Sequence, residues 1–96
     1  MDEHQITEAL RRIIRKHFGP RAKIFLFGSR AKGTCTDRSD YDFGIDAGAK
    51  LPLGAWERVE ADVEELPTLH RIDIVDFWRV SSEFKNFALE HARALE

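Results

Sequence analysis

The segment from Asp40 to Asp46 alternates between large apolar residues and acidic or small ones. In an extended chain, its apolar residues fall on one side and its aspartates and glycine fall on the other. This period of two predicts a strand from Tyr41 to Asp46 that buries one face and leaves the other open. Asp40 and Asp42 are then expected to project together as a pair of carboxylates.

Helical and extended segments alternate along the rest of the chain. Apolar residues at steps of three and four predict a first helix that ends at Gly19-Pro20. A strand is expected from Lys23 to Phe27, then a helical turn over residues 29 to about 33 and a polar loop over 34–39.

The second half of the chain repeats this alternation. We expect a helix over Leu53–Leu66 and a strand over Arg71–Val75. A last helix is expected to begin at Ser81 or Ser82 and to carry its apolar stripe through His91 to Leu95.

Length and composition limit the possible classes of function. A chain of 96 residues has little room for a separate substrate domain, so we assign residues 1–96 to a single domain. The order of elements predicts an α/β sandwich of two or three layers, with a short mixed sheet of about three principal strands. A net charge of -2 gives no general attraction for nucleic acid. The single cysteine, Cys35, and the lack of a leader or long apolar run favour a cytoplasmic protein without a membrane segment.

Gly28-Ser29 directly follows the first predicted strand. Glycine lets the backbone approach a ligand closely, and N–H groups at the start of a helical turn are donors for phosphate oxygens. The loop is not a Walker A sequence, because Lys32 precedes Gly33 and Thr34 stands where the lysine of that motif belongs. A lone Gly-Ser pair would indicate only a tight turn; its place before the acidic strand favours a phosphate-binding loop.

The aspartates indicate a metal-dependent site. Like charges on Asp40 and Asp42 repel unless a cation lies between them, and Mg²⁺ shares its positions between carboxylates and substrate phosphates. Asp73, between two isoleucines, is expected to complete this site and to act as general base. Solvated strand edges are the alternative, but aspartate is depleted in strands. Asp46 and Asp76 are expected to be peripheral.

Basic and aromatic residues near the loop carry weaker signals. Lys32 is expected to hold a triphosphate, whereas for Arg30 and Arg38 a phosphate contact and plain surface charge both stay open. The four histidines share no metal-binding spacing and are expected to be structural. Phe77 and Trp78, beyond the third strand, are candidates for partly exposed contact with a partner.

The segments Gly28–Gly33 and Ser39–Ile45 together resemble the signature of the polymerase-beta-like nucleotidyltransferase superfamily. That signature runs Gly-Ser, a small residue, a basic residue and Gly, and then Ser-Asp-x-Asp. The short chain and the segment Arg71–Asp76 are most similar to the minimal nucleotidyltransferases, the small partners of helical HEPN-type proteins. The resemblance spans nearly the whole chain and implies the polymerase-beta-like nucleotidyltransferase fold.

The resemblance also implies roles for individual residues. Asp40 and Asp42 match the two metal-binding acids, and Asp73 matches the third carboxylate. Lys32 stands where arginine is commoner, a change that keeps the charge but loses the bidentate fork. The positions that match nucleotide and phosphate binding are Gly28, Ser29, Lys32 and Ser39.

The expected activity is transfer of AMP from ATP to a hydroxyl acceptor, with two Mg²⁺ ions and release of pyrophosphate. The resemblance implies that the acceptor is a tyrosine of a HEPN-type toxin in a hetero-oligomer, which would make this chain an antitoxin that acts by AMPylation. Two alternatives stay open: a module that neutralises its partner by contact alone, and a subunit that modifies small molecules such as aminoglycosides. A DNA template is not expected, because a template-binding region does not fit in this length.

Overall fold

The computed structural model describes residues 1–34 and 39–95. Among these residues, no helix is both long and apolar enough to cross a bilayer. The expectations for Cys35 and Arg38 lie outside the described residues. In chain order the elements are α1 (Glu3–Phe18), β1 (Lys23–Phe27), α2 (Ser29–Lys32), β2 (Tyr41–Asp46), α3 (Leu53–Glu64), β3 (Ile72–Asp76), α4 (Ser82–Leu89) and β4 (Arg93–Leu95).

The described strands form one mixed sheet in the order β3-β2-β1-β4. β1 pairs antiparallel with β2 and with β4, and β2 pairs parallel with β3. A parallel pair needs a crossover connection, which α3 supplies between β2 and β3. The α/β sandwich with a mixed sheet is therefore confirmed, as are the strands predicted over 23–27 and 41–46.

Helices cover both faces of the sheet, so the sandwich has three layers. On one face of the sheet, Phe27 of β1 packs against Phe77 and against Ala88 of α4. Burial of a large apolar side chain contributes about 1.5–3 kcal/mol, so apolar contacts on each face hold the helices to the sheet. On the other face, α1 and α3 pack against β1 and β2 through Ile6, Leu10, Ile14, Val59, Val63, Ile24, Leu26, Tyr41, Phe43 and Ile45.

The ends of α1 follow from its flanking residues. Asp2 Oδ1 accepts a hydrogen bond from the Gln5 amide at 2.8 Å, and Gln5 Oε1 accepts one from the Asp2 amide at 2.9 Å. This reciprocal capping box satisfies amides that the helix leaves without partners. The helix ends at Gly19, whose φ of 77° favours glycine, as the sequence predicted.

The last helix is shorter than predicted. α4 ends at Leu89 and residues 93–95 form β4, so the expected helical stripe through His91 to Leu95 is wrong. Leu95 instead lies opposite Ile24 of β1 and packs against the larger core. A short helix depends on tertiary packing, whereas the open edge of β1 offers backbone groups that need partners. Pairing at this edge therefore prevails over helical periodicity.

The aromatic residues after β3 have opposite environments. Phe77 is only 2% exposed and packs against Phe25 and Phe27, so its predicted exposure is wrong. Its ring has room because Gly44 has no side chain, and a Cβ at that position would overlap the ring. Trp78 is 45% exposed, as the sequence predicted.

Candidate active site

Two of the predicted site aspartates are direct neighbours in the sheet. Asp42 of β2 lies opposite Phe27 of β1 on one side and opposite Asp73 of β3 on the other. Residues paired in register project to the same face, which here is the face that α4 covers in part. Asp40 immediately precedes β2 and is exposed. The strand register thus brings Asp42 and Asp73 together.

The three carboxylates interact electrostatically. Burial raises the pKa of Asp42 above its ordinary value, and the negative charges of Asp73 and then Asp40 raise that pKa further. The positive charge of Arg71 lowers it in part. Asp42 therefore lies in a field that favours either a proton or a cation beside its carboxylate.

Arg71 forms an ion pair with Asp73. Arg71 Nε donates to Asp73 Oδ1 at 3.2 Å, and the two side chains are 74% and 39% exposed. An exposed pair of this kind contributes about 0–1 kcal/mol, so the carboxylate can leave it at little cost. This contact was not predicted from the sequence, although Arg71 and Asp73 carry opposite charges two positions apart.

The donor atoms suit a hard cation, although they do not surround one. Among residues 1–34 and 39–95, no three His, Cys, Asp or Glu side chains are placed to hold a metal ion together. Asp73 would have to turn away from Arg71 to share an ion with Asp42. Carboxylates in register on adjacent strands are nevertheless the oxygen donors that Mg²⁺ takes. The chemistry of the residues present therefore fits such an ion, although their side chains are not arranged around one.

Gly28 packs directly against Asp42. Its φ of 76° lies in the region that favours glycine, and a Cβ built on it would overlap the Asp42 carboxylate oxygen. The Gly28 carbonyl accepts hydrogen bonds from the amides of Ala31 and Lys32, both at 3.1 Å, and these bonds start α2. The first N–H groups of a helix have no partner within it, so this turn leaves donors beside the acids. The predicted loop and the acidic strand are therefore in contact.

Arg30 has a role in this region that the sequence left open. Its Nε and Nη2 donate to the Ser39 carbonyl oxygen at 3.1 Å and 2.9 Å. Its guanidinium also lies over the Tyr41 ring, with Cζ 3.8 Å from the ring centre. The contact joins α2 to the residues on either side of Asp40.

The other predicted phosphate-binding residues lie around the same turn. Ser29 begins α2 and is half-buried, whereas Lys32 at the end of α2 is exposed. Lys32 Nζ lies 5.2 Å from the ring centre of Phe87 on α4, a cation–π contact that the sequence did not predict. This contact places an exposed aromatic residue beside the loop.

Asp46 and Asp76 serve the fold, in agreement with their predicted peripheral position. Asp46 Oδ1 accepts hydrogen bonds from Trp78 Nε1 at 2.7 Å and from the Gly48 amide at 2.9 Å. The bond from Trp78 is the main cause of the lowered pKa of Asp46. The buried Asp76 carboxylate accepts from the amides of Leu51 at 3.0 Å and Trp78 at 2.9 Å.

A groove of about 380 Å³ adjoins the acids, and Arg71 and Asp73 form part of its wall. Its other polar lining residues are Glu60 and Glu64 of α3, Thr68 and His70. Because β3 is an edge strand, the groove lies at the edge of the sheet next to Asp73. No sequence pattern indicated it, since its walls come from separate segments.

Comparison with known proteins identifies the family. The family model described as polymerase beta, nucleotidyltransferase, matches residues 8–95. The search of curated proteins found no match.

Three solved structures share the fold. One, described as a candidate minimal nucleotidyltransferase, has 26% identity and a TM-score of 0.72, with 99% of this chain and 97% of that chain covered. A toxin-antitoxin with AMP-PNP has 20% identity and a TM-score of 0.68, with 94% and 72% covered. A mutant of the toxin-antitoxin MntA-HpeT has 22% identity and a TM-score of 0.67, with 100% and 73% covered.

The family match includes both the Gly28-Ser29 turn and the strand that carries Asp42, the two parts that the fold brings into contact. This protein therefore belongs to the polymerase-beta nucleotidyltransferase family and resembles its minimal members.

Proposed function

We propose that this chain uses Mg²⁺ to transfer AMP from ATP to a hydroxyl group of a protein partner. The observation that carries the proposal is the contact of Gly28 with Asp42, which in turn lies in register with Asp73. A turn suited to phosphates thus adjoins carboxylates suited to a metal ion. The AMP-PNP in a structure of the same fold supports a nucleotide as substrate.

Each site residue has a proposed role. Asp40, Asp42 and Asp73 hold Mg²⁺, which when bound neutralises charge on the substrate phosphates. The turn at Gly28-Ser29 binds the phosphates, with Lys32 and Ser39 beside it. Lys32 would have to leave the Phe87 ring to contact a phosphate, and this exchange needs only a rotation of its exposed side chain.

The reaction is a displacement at the α-phosphorus of ATP. The acceptor oxygen forms a bond to this phosphorus while the bond to the pyrophosphate oxygen breaks, and the acceptor proton passes to the Asp73 carboxylate. The ion pair of Asp73 with Arg71 is exposed and weak, so the carboxylate can leave it to take this role.

The proposed acceptor is a tyrosine of a HEPN-type helical toxin, which would make this chain an antitoxin. The toxin-antitoxin pairs among the structures of the same fold support a protein partner. In one of them two aspartates two positions apart are changed to glutamate, which is the spacing of Asp40 and Asp42 here.

The test uses the purified chain, ATP, Mg²⁺ and a HEPN-type helical protein, with modification of that protein followed by mass spectrometry. We expect one AMP on a tyrosine of the partner, and we expect Asp42→Ala to lower the rate by about 100-fold or more, since it removes a metal ligand. Asp46→Asn is the matched control, because Asp46 lies on the same face of the same strand but bonds Trp78. No modification, or an equal rate with Asp42→Ala, would refute the proposal.

Neutralisation by contact alone is a second candidate, because α4 exposes aromatic surface. Phe87 is 61% exposed and Phe84 is 38% exposed. An exposed apolar patch of this kind is typical of a protein-binding surface. If Asp40→Ala combined with Asp42→Ala still neutralised the toxin fully in cells, contact would be the mechanism.

A further inference from the structure

Arg30 connects the two parts of the site. It stands in α2 directly after Gly28-Ser29, and its Nε and Nη2 both donate to the Ser39 carbonyl, at 3.1 Å and 2.9 Å. Its guanidinium lies on the Tyr41 ring, with Cζ 3.8 Å from the centre. We propose that Arg30 is a positioning residue that fixes the segment Asp40–Asp42 relative to the phosphate-binding turn.

The contacts lie where they restrain the carboxylates most. The Ser39 carbonyl belongs to the peptide bond that leads into Asp40, and Tyr41 separates Asp40 from Asp42. Tyr41 is 2% exposed, so a guanidinium held on its ring is tied to a fixed point in the core. One side chain thus contacts the backbone of the residue before Asp40 and the ring of the residue after it. Without it, repulsion between the carboxylates would be free to move Asp40 away.

The contacts of Arg30 depend on the shape of its guanidinium and not only on its positive charge. The planar guanidinium directs two N–H groups at one oxygen and presents a flat face to the ring. A lysine ammonium has neither the fork nor the plane. Arg30→Lys therefore keeps the charge and loses the geometry, which separates positioning from electrostatic attraction.

The first experiment measures binding of Mn²⁺ alone to the full chain, from the loss of the free Mn²⁺ EPR signal. We expect Arg30→Ala and Arg30→Lys each to weaken binding by about tenfold, as happens when a group that orients a metal ligand is removed. Arg12→Ala is the matched control, because Arg12 Nε donates to a carbonyl at 3.4 Å within its own helix. We expect it to bind Mn²⁺ as the wild type does.

The lysine variant decides between the two roles. Wild-type binding in Arg30→Lys would mean that charge suffices and would overturn the proposal. The chain has a single tyrosine, so one set of tyrosine ring signals is expected in the NMR spectrum, and it belongs to Tyr41. We expect these signals to shift in Arg30→Lys and to stay in place in Arg12→Ala. Unmoved signals in folded Arg30→Lys would also overturn the proposal, even if Arg30→Ala did not fold.

Kinetics separate this inference from the proposed function, on which its catalytic consequence rests. In an active enzyme, Arg30→Lys should lower kcat and raise the Mg²⁺ concentration for half-maximal rate, with KM for ATP nearly unchanged. A rise in KM alone, with Mn²⁺ binding intact, would make Arg30 a substrate contact and contradict the proposal. If the wild type transfers no nucleotide, the proposed function fails, yet the Mn²⁺ comparison still decides the role of Arg30. A wild type that binds no Mn²⁺ would overturn both.

Discussion

Gly28 meets two requirements that no other residue meets at its position. Its backbone has a φ of 76°, and its missing side chain leaves space for the Asp42 carboxylate. Gly19 has nearly the same φ, 77°, but a Cβ there would have no atom within 4 Å. The chain therefore offers a comparison in which backbone strain is matched and only the contact with the acid differs.

Gly28→Ala and Gly19→Ala should both lose about 1–3 kcal/mol of unfolding free energy, because both place a side chain at positive φ. Only Gly28→Ala should displace Asp42, and we expect it to lower the transfer rate by about tenfold or more. Chemical denaturation and a rate assay on both variants check this. If the two variants were equally stable and equally active, the contact between Gly28 and Asp42 would not matter for transfer.

The raised pKa of Asp42 predicts a balance between stability and function. A carboxyl whose pKa is raised by folding destabilises the folded state above that pKa, and this effect disappears below the ordinary value. Asp42→Asn should therefore raise the melting temperature at neutral pH in EDTA, and the gain should vanish in acid. It should also abolish activity. A variant less stable than the wild type at neutral pH would contradict the prediction.

Some of the site could be predicted from single residues and some could not. Asp42 and Asp73 could each be placed on the side of its own strand away from the apolar residues, because strand periodicity is strict, and the register shows that they are neighbours. The partner of Arg30 could not be predicted, because Arg30 and Ser39 are nine positions apart and no periodic sequence pattern relates them. The same holds for Lys32, whose aromatic neighbour comes from α4.

At the level of elements, Gly44 and Phe77 link the sheet to the layer of α4. The Phe77 ring occupies the space where a side chain of residue 44 would be. Gly44→Ala should lower the unfolding free energy by about 1–3 kcal/mol through overpacking. In the presence of Phe77→Leu this cost should shrink by at least about 0.5 kcal/mol, which a double-mutant cycle measures. Additive costs would mean that the two residues do not compete for space.

α1 and α3 are joined by a polar contact with a predictable pH dependence. His17 Nε2 lies 2.8 Å from Asp62 Oδ2, and this hydrogen bond is the main cause of the lowered pKa of Asp62. A lowered carboxyl pKa stabilises the fold above the ordinary value, and this contribution is lost as pH falls through the lowered pKa. Asp62→Asn should be less stable than the wild type at neutral pH, with the difference vanishing in acid. Urea denaturation at both pH values checks this, and a constant difference would contradict it.

The elements were predictable where a local pattern agreed with the tertiary environment. β2 has both strict alternation and a core on one side, and its bounds match the prediction. The end of the chain is different, because residues 90–95 suit a helical stripe equally well. Only the open edge of β1, which the sequence does not reveal, makes Arg93–Leu95 a strand.

In the whole molecule, the turn at Gly28-Ser29 lies beside Asp42, which is in register with Asp73. Among the described residues, the surfaces next to the acids are the groove along β3 and the exposed aromatic side chains of α4. Both surfaces are open to a second macromolecule, and in the proposed function that molecule supplies the acceptor hydroxyl. The part of ATP that reaches this acceptor therefore distinguishes nucleotidyl transfer from transfer of the terminal phosphate.

The most direct measurement compares ATP labelled at the α-phosphorus with ATP labelled at the γ-phosphorus, each incubated with Mg²⁺, the chain and the proposed helical partner. Nucleotidyl transfer predicts that the partner gains the α-label and that the γ-label leaves as pyrophosphate. It also predicts that Asp42→Asn abolishes labelling while Asp46→Asn preserves it, because only Asp42 lies beside Gly28 and Asp73. Transfer of the γ-label to the partner, or α-labelling that survives Asp42→Asn, would contradict the account.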